Sequence, residues 1–314
     1  MLVYSIRRLA LTLLILLVTM TLLFSMVYLV PGDPASIALG PRATAAMKAA
    51  FRERMGLDDP LVVQLWNFLT HVLRGDLGVD VWSNRSVAII VLEAMPYTLA
   101  LTGAALGWAV TTGIPLGAWS AVARNSWTDR AIGVLSVSAI AIPSFIVAIY
   151  SLLVFAVWLR WLPAIGAGNS GDLGDQLIHL LLPAFAVGLG WVGYIARLVR
   201  ASMLEVMGEN HIRTARAFGL PERRILFRYA LPIAILPTVA LLGVGIGNLL
   251  SGAVFAEIVF ARPGVGKLTY DAVITRNYPV VMGSVLVTTA VYATCTLLAD
   301  VAAAWLDPRV RASL

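Results

Sequence analysis

The chain has 314 residues, of which 60% are hydrophobic and 13% charged, about half the charged share of a soluble domain. Its charge-free stretches exceed the roughly 20 apolar residues that cross the hydrocarbon core as a helix, and they are too uniformly apolar for barrel strands, which alternate faces. The formal charge of +6 and pI of about 9.8 come from arginines gathered between apolar runs, a pattern of membrane orientation rather than nucleic-acid binding.

The first element follows Arg7 and Arg8. It is a 22-residue apolar run from Leu9 to Val30, longer than the typical core of a signal peptide. It ends in Pro31-Gly32-Asp33-Pro34 without a small-x-small cleavage site, so it reads as a retained spanning helix. The segment from Pro31 to Pro96 comes next. Within it Leu61, Leu65, Phe68/Leu69 and Val72/Leu73 recur at helical spacing, which predicts a short helix on the outer rim or at the membrane interface.

Five further apolar runs cover Tyr97–Ala121, Ala131–Trp158, Ile178–Ala196, Leu231–Ala256 and Val280–Ala299. The fold class is therefore all-α: a polytopic membrane bundle of about six transmembrane helices. Pro115, Pro143, Pro183 and Pro237 fall inside the runs, where neighbouring helices can satisfy the freed carbonyls. Gly103/Gly107, Gly113/Gly117 and Gly243/Gly247/Ser251 repeat at four residues, a spacing that suits close helix packing or a pore lining. Cys295, the only cysteine, sits in an apolar run as a small packed residue.

Orientation follows from the short loops. With Arg7 and Arg8 cytoplasmic, that side holds thirteen arginines against five acids, a balance of +8. The other side holds ten basic and eleven acidic residues, a balance of −1, and Asp300 lies in the last span. Both termini are expected in the cytoplasm.

The loop between the fourth and fifth runs carries most information. From Glu205 to Pro232 it reads as a basic amphipathic helix, a Gly219-Leu220-Pro221 break and a second basic helix entering the membrane. Gly219 suits the position after a helix end, where positive φ is common, and Pro221 suits the first turn of the next helix. The result is a rigid basic knob: either a docking surface for a soluble partner or a loop that only sets topology.

Thr214-Ala215, three residues, Gly219, then Tyr229-Ala230-Leu231-Pro232 resembles the "EAA" loop of ABC importer permeases. Arg213-Thr214 stands where that pattern has Glu-Ala, and Tyr229 replaces Ile. The version Arg213-Thr214-Ala215-Arg216-Ala217-Phe218-Gly219-Leu220 is similar to the dipeptide, oligopeptide and nickel branch, in its "B" type subunit. Pro31-Gly32-Asp33-Pro34, Gly56-Leu57-Asp58-Asp59-Pro60-Leu61, Arg74-Gly75-Asp76-Leu77-Gly78, Trp161-Leu162-Pro163, Arg200-Ala201-Ser202-Met203-Leu204-Glu205, Phe260-Ala261-Arg262-Pro263-Gly264-Val265-Gly266, Asn277-Tyr278-Pro279 and Leu306-Asp307-Pro308-Arg309 extend the resemblance along nearly the whole chain.

The resemblance implies a type I importer transmembrane domain in a bacterial inner membrane. It implies residues 1–30 as a spanning helix, 31–96 as an extracytoplasmic segment with short helices, 95–304 as the permease domain with a coupling loop at about 201–230, and 305–314 as a cytoplasmic tail. The expected partners are a second homologous permease in a heterodimer, two cytoplasmic ATP-binding subunits, an extracytoplasmic solute-binding protein and membrane lipid, with no nucleic acid. ATP and magnesium would be bound by the ATPase partners, with no cofactor in this chain. The coupling residues would be Arg213, Thr214, Ala215, Arg216, Gly219, Leu220, Leu231 and Pro232, with Ala215 on the face pressed into the ATPase. Short peptides are the favoured substrate; nickel, glutathione or another small solute is the alternative.

Three competing signals are weaker. Pro263-Gly264-Val265-Gly266-Lys267-Leu268 lacks the first Gly of a phosphate loop, and Leu268 replaces its Ser or Thr, so a tight turn into an outer helix is expected. Asp175 and His179 are one helical turn apart, suited to a local hydrogen bond or a weak metal contact. An intramembrane enzyme needs a paired nucleophile and base or metal ligands at depth, and no span supplies them; a passive channel would leave the knob without a role.

Overall fold

The computed structural model describes residues 2–29, 35, 43–56 and 58–306. The Pro31–Pro34 motif, Leu57, and the tail with Asp307, Pro308 and Arg309 lie outside the described residues. In chain order the helices are α1 (Leu2–Leu29), α2 (Ala45–Met55), α3 (Leu61–Leu73), α4 (Val87–Val122), α5 (Trp127–Ala141), α6 (Ser144–Ser151), α7 (Leu173–Val206), α8 (Asn210–Ala217), α9 (Glu222–Arg224), α10 (Leu231–Ala234), α11 (Leu236–Val259), α12 (Val265–Ile274) and α13 (Tyr278–Leu306). Among the described residues the β structure is a single bridge, Val79 with Ser86. Among the described residues, five helices are long and apolar enough to cross a membrane, and six spans result when one bent pair counts as one.

That bent pair revises the expected third span. Trp127–Ala141 and Ser144–Trp158 meet at 100°, because Pro143 offers no N–H and forces Ile142 into extended backbone at φ −86°, ψ 121°. Pro183, by contrast, sits inside the continuous α7, and Pro115 inside the continuous α4. Pro237 lies at the start of α11, where its missing N–H is no loss. Pro232 follows a wide π turn, Ile225–Ala230, the local adjustment expected where proline interrupts the hydrogen-bond ladder.

The chain forms two compact units. One contains residues 98–262 and 295–306. Here α7 is the central helix, packed on α5, α6 and α11. Glycines set the approach, Gly117 and Gly193 most tightly against neighbouring backbone. A Cβ on Gly117 would lie 2.4 Å from the Ala196 carbonyl oxygen, and one on Gly193 would lie 2.5 Å from that of Ser136, so no other residue fits without moving a helix. Gly103 and Gly107 have open space beside them instead.

The second unit contains the described residues up to 97 and residues 263–294. The helix predicted over Leu61–Leu73 is present as α3, and its Phe68 ring meets Phe24 of α1 with centroids 5.9 Å apart. Val87, Val91, Val265, Ala272 and Val280 form the core of this unit. The Pro263–Leu268 segment is the expected turn: Gly264 caps α12, and Lys267 pairs with Asp271 one turn on.

Candidate functional site

The site is built from the end of α7 onward. Met207, Gly208 and Glu209 join α7 to α8, and Glu209 caps α8 with extended backbone. Ile212 and Ala215 are spaced three apart, so they share one helix face. That face is buried: Ile212 is 0% exposed and Ala215 6%. They pack with Val199, Met203 and Val206 of α7 and with Ile225 and Ala230 beyond the break.

The break is a Schellman turn. Gly219 has φ +73°; its N–H donates to the Arg216 carbonyl at 2.9 Å, and the Leu220 N–H donates to the Ala215 carbonyl at 3.3 Å. These bonds satisfy the last carbonyls of α8. Leu220 then packs on the same apolar cluster, the hydrophobic contact that usually accompanies the motif. Pro221 stands one residue before the first helical position of α9, not within its first turn; its carbonyl accepts from Arg224 and Ile225.

Arg216 and Glu222 lock the two arms together, with Nε to Oε1 at 2.7 Å and Nη2 to Oε2 at 3.3 Å. The hydrogen bonds to Glu222 raise the Arg216 pKa further above its already high value, so its charge is fixed. Thr214 returns its hydroxyl to the Asn210 carbonyl at 3.0 Å.

The predicted coupling residues thus divide. Ala215, Leu220 and Leu231 join one apolar cluster, while Arg213, Thr214, Arg216, Gly219 and Pro232 are exposed. The expectation for Ala215 is corrected: its face holds the knob to its own bundle and is not presented outward, because Ile212 and Ala215 are the apolar residues that α8 can bury. Sequence reasoning also passed over Phe218. It is 81% exposed at the C-terminal end of α8, a helix that also exposes Arg213, Arg216 and Ala217. Its signal was an aromatic residue immediately before the turn glycine, but its three-residue spacing from Ala215 would have put it on the buried face, so only its exposure sets it apart. Elsewhere, His179 Nδ1 lies 2.8 Å from the Asp175 carbonyl oxygen and 3.1 Å from its carboxylate, the local pairing that the sequence allowed.

Residues 113–312 match the family described as "Binding-protein-dependent transport system inner membrane component", and residues 1–102 match its N-terminal companion family. The chain belongs to this family. It is a permease of the peptide/nickel branch of ABC importers, a multi-pass inner-membrane transport subunit whose ATP hydrolysis resides in separate subunits. The family works with a partner permease, an ATPase and a binding protein.

The permease is 40% identical over 312 residues to "Glutathione transport system permease protein GsiC" of Pectobacterium atrosepticum, covering 99% of both chains. It is 38% identical to the protein of that name from Salmonella typhimurium and 36% to that from Escherichia coli, each over 311 residues and 99% of both chains. A solved structure titled "Inward facing conformations of the MetNI methionine ABC transporter" superposes with a TM-score of 0.58 at 18% identity, covering 69% of this permease and 96% of that chain. That likeness supports the type I importer fold.

Proposed function

We propose that this permease forms half of the translocation pathway for short peptides, with the tripeptide glutathione foremost, and that the knob at residues 210–220 seats an ATPase subunit on the cytoplasmic side. Glutathione, a lesser option on sequence alone, is favoured because relatives at 36–40% identity over nearly the full length carry that substrate in their names. The seat rests chiefly on Phe218: an aromatic side chain 81% exposed on a rigid basic turn has the character of an interface anchor. An internally packed, salt-bridged turn transmits force because it cannot deform separately from α7.

The assembly is a heterodimer of two permeases, two ATPase subunits and an external binding protein. Both termini and the 210–220 knob face the cytoplasm, and the 31–96 segment faces outward. The coupling set is Arg213, Thr214, Ala215, Arg216, Gly219, Leu220, Leu231 and Pro232, in which Ala215, Leu220 and Leu231 stiffen the knob and the others shape its surface. ATP-driven closure of the ATPases displaces the knob, and α7 carries that displacement into the membrane as a rigid-body switch.

The test is uptake into proteoliposomes holding the complete complex, with its binding protein loaded with glutathione, a dipeptide or a nickel complex. ATP-dependent import of glutathione above the others is the expected result. Import of nickel alone would overturn the substrate assignment.

A further inference from the structure

A second feature ties α7 to the rest of its unit. Asp129, in the first turn of α5, is only 5% exposed. Its carboxylate accepts from Arg200 Nε at 2.6 Å and Nη2 at 2.8 Å. It also accepts from the Ser120 hydroxyl of α4 and, at 2.9 Å, from the Asn125 N–H in the α4–α5 turn. One carboxylate therefore fastens α4, the turn and α5 to a single arginine of α7.

Arg200 stands six residues before the end of α7. The residues that follow it, Met203 and Val206, are buried against Ile212, Ala215 and Ile225 of the knob. The lower part of α7 and the knob thus form one rigid piece, and the clasp is its polar attachment to α4 and α5. A bidentate arginine–carboxylate pair constrains direction as well as distance. Apolar packing alone lets one helix slide along another in membrane bundles, where no hydrophobic force separates protein contacts from lipid contacts.

The geometry points to Asp129 and Arg200 as positioning residues of transport: the clasp makes α4 and α5 follow when the ATPase displaces α7 and the knob. This rests on the reading of the knob as the ATPase seat. Without the clasp, ATP would still bind and be hydrolysed, but the displacement would stop at α7. By linkage, the loaded binding protein would lose its influence on the ATPase, since coupling between the two sites is reciprocal.

The test uses the complete complex in lipid nanodiscs, comparing wild type, Asp129→Asn, Arg200→Met, Arg200→Lys and the double variant Asp129→Asn/Arg200→Met. Single neutralisation strands a buried charge and can impair folding. The double variant removes both charges, while the amide introduced at position 129 can accept from the Asn125 N–H through its oxygen and donate to the Ser120 hydroxyl through its NH2. It is expected to keep wild-type abundance, ATPase co-purification and basal ATPase activity. Its stimulation by loaded binding protein should fall on the order of tenfold, with Arg200→Lys intermediate. Wild-type stimulation in the double variant would overturn the proposal by showing that the pair only neutralises charge. Loss of assembly in the double variant would overturn it as well, making the clasp a requirement of the fold. Failure of the knob reading gives a different signature: Phe218→Ala would then leave ATPase co-purification unchanged.

Discussion

Arg216 and Glu222 face each other across the Gly219 turn in a two-pronged contact, with Nε and Oε1 2.7 Å apart. Both side chains are exposed, so the pair adds on the order of 1 kcal/mol or less to stability. Its consequence is angular, since it fixes α8 against α9. Glu222→Gln is expected to leave abundance unchanged and to lower uptake severalfold, and the exchange Arg216→Glu/Glu222→Arg should recover most of that loss. Equal uptake in wild type and Glu222→Gln would show that the Schellman turn alone sets the angle.

Phe218→Ala should weaken ATPase binding by about 2 kcal/mol, roughly thirtyfold, the scale of an aromatic interface anchor. The side chain is 81% exposed, so its loss leaves no cavity and abundance stays at the wild-type level. Titration of the detergent-solubilised permease pair with purified ATPase reads the effect directly. Wild-type affinity would remove Phe218 from the interface.

Gly219→Asp and Ala215→Glu are expected to fail differently. Gly219 needs φ +73°, yet nothing lies within 4 Å of where a Cβ would project. Substitution there costs about 1–2 kcal/mol of backbone strain, and Gly219→Asn should be milder because asparagine tolerates the left-handed region. These variants stay in the membrane with impaired uptake. Ala215 is 6% exposed within the knob's own core, so a carboxylate there costs several kcal/mol of burial and should lower abundance of the permease itself. Normal abundance of Ala215→Glu would show that α8 does not pack as described.

Asp80 gives a pH-dependent test in the segment before α4. Burial raises its pKa, but hydrogen bonds from the Ser83 hydroxyl, the Asn277 amide and the Ser83 and Trp82 N–H groups outweigh it and hold the pKa below its ordinary value. A lowered folded-state pKa stabilises the fold above the unfolded-state pKa, and the gain is lost as pH falls through the folded-state value. Hydrogen-exchange protection at residues 79–86, measured relative to the intrinsic rate at each pH, should therefore be high at neutral pH and fall only under strongly acidic conditions. Asp80→Ala should show low protection at both. Equal protection in the variant at neutral pH would remove the carboxylate from the account.

Much of this architecture is legible in the sequence because apolar length and helix-end chemistry act locally. The runs that span the membrane, α3 and the Gly219 break follow from hydrophobic spacing and positive φ alone. What stayed hidden depends on partners far along the chain. Pro115 and Pro183 sit in unbroken helices while Pro143 turns its pair by 100°, although all three lie inside apolar runs. The basic loop showed its charge plainly, but Ile212 and Ala215 among the arginines are its inward face, so the outward face with Phe218 had to be read from burial. Asp129 and Arg200, 71 residues apart, meet only in the folded bundle.

Sidedness can be tested at three positions. The turn after α4 and the knob share one apolar cluster, in which Ala118 and Ala121 join Ile212 and Ala215, so Arg124 and Arg216 belong to the same membrane face. The other end of α7 belongs to the opposite face: with 34 residues the helix is about 50 Å long, well beyond the roughly 30 Å hydrocarbon core. The arginine-rich face should be cytoplasmic, with its balance of +8 against −1. In a Cys295→Ser background, cysteines at Arg124 and Arg216 should resist a membrane-impermeant thiol reagent in intact cells and react after permeabilisation. A cysteine at Ser170, exposed just before α7, should react without permeabilisation. Labelling of Arg216→Cys in intact cells would put the knob outside, where no ATPase subunit could reach it, and both the coupling assignment and the inferred clasp function would fall together.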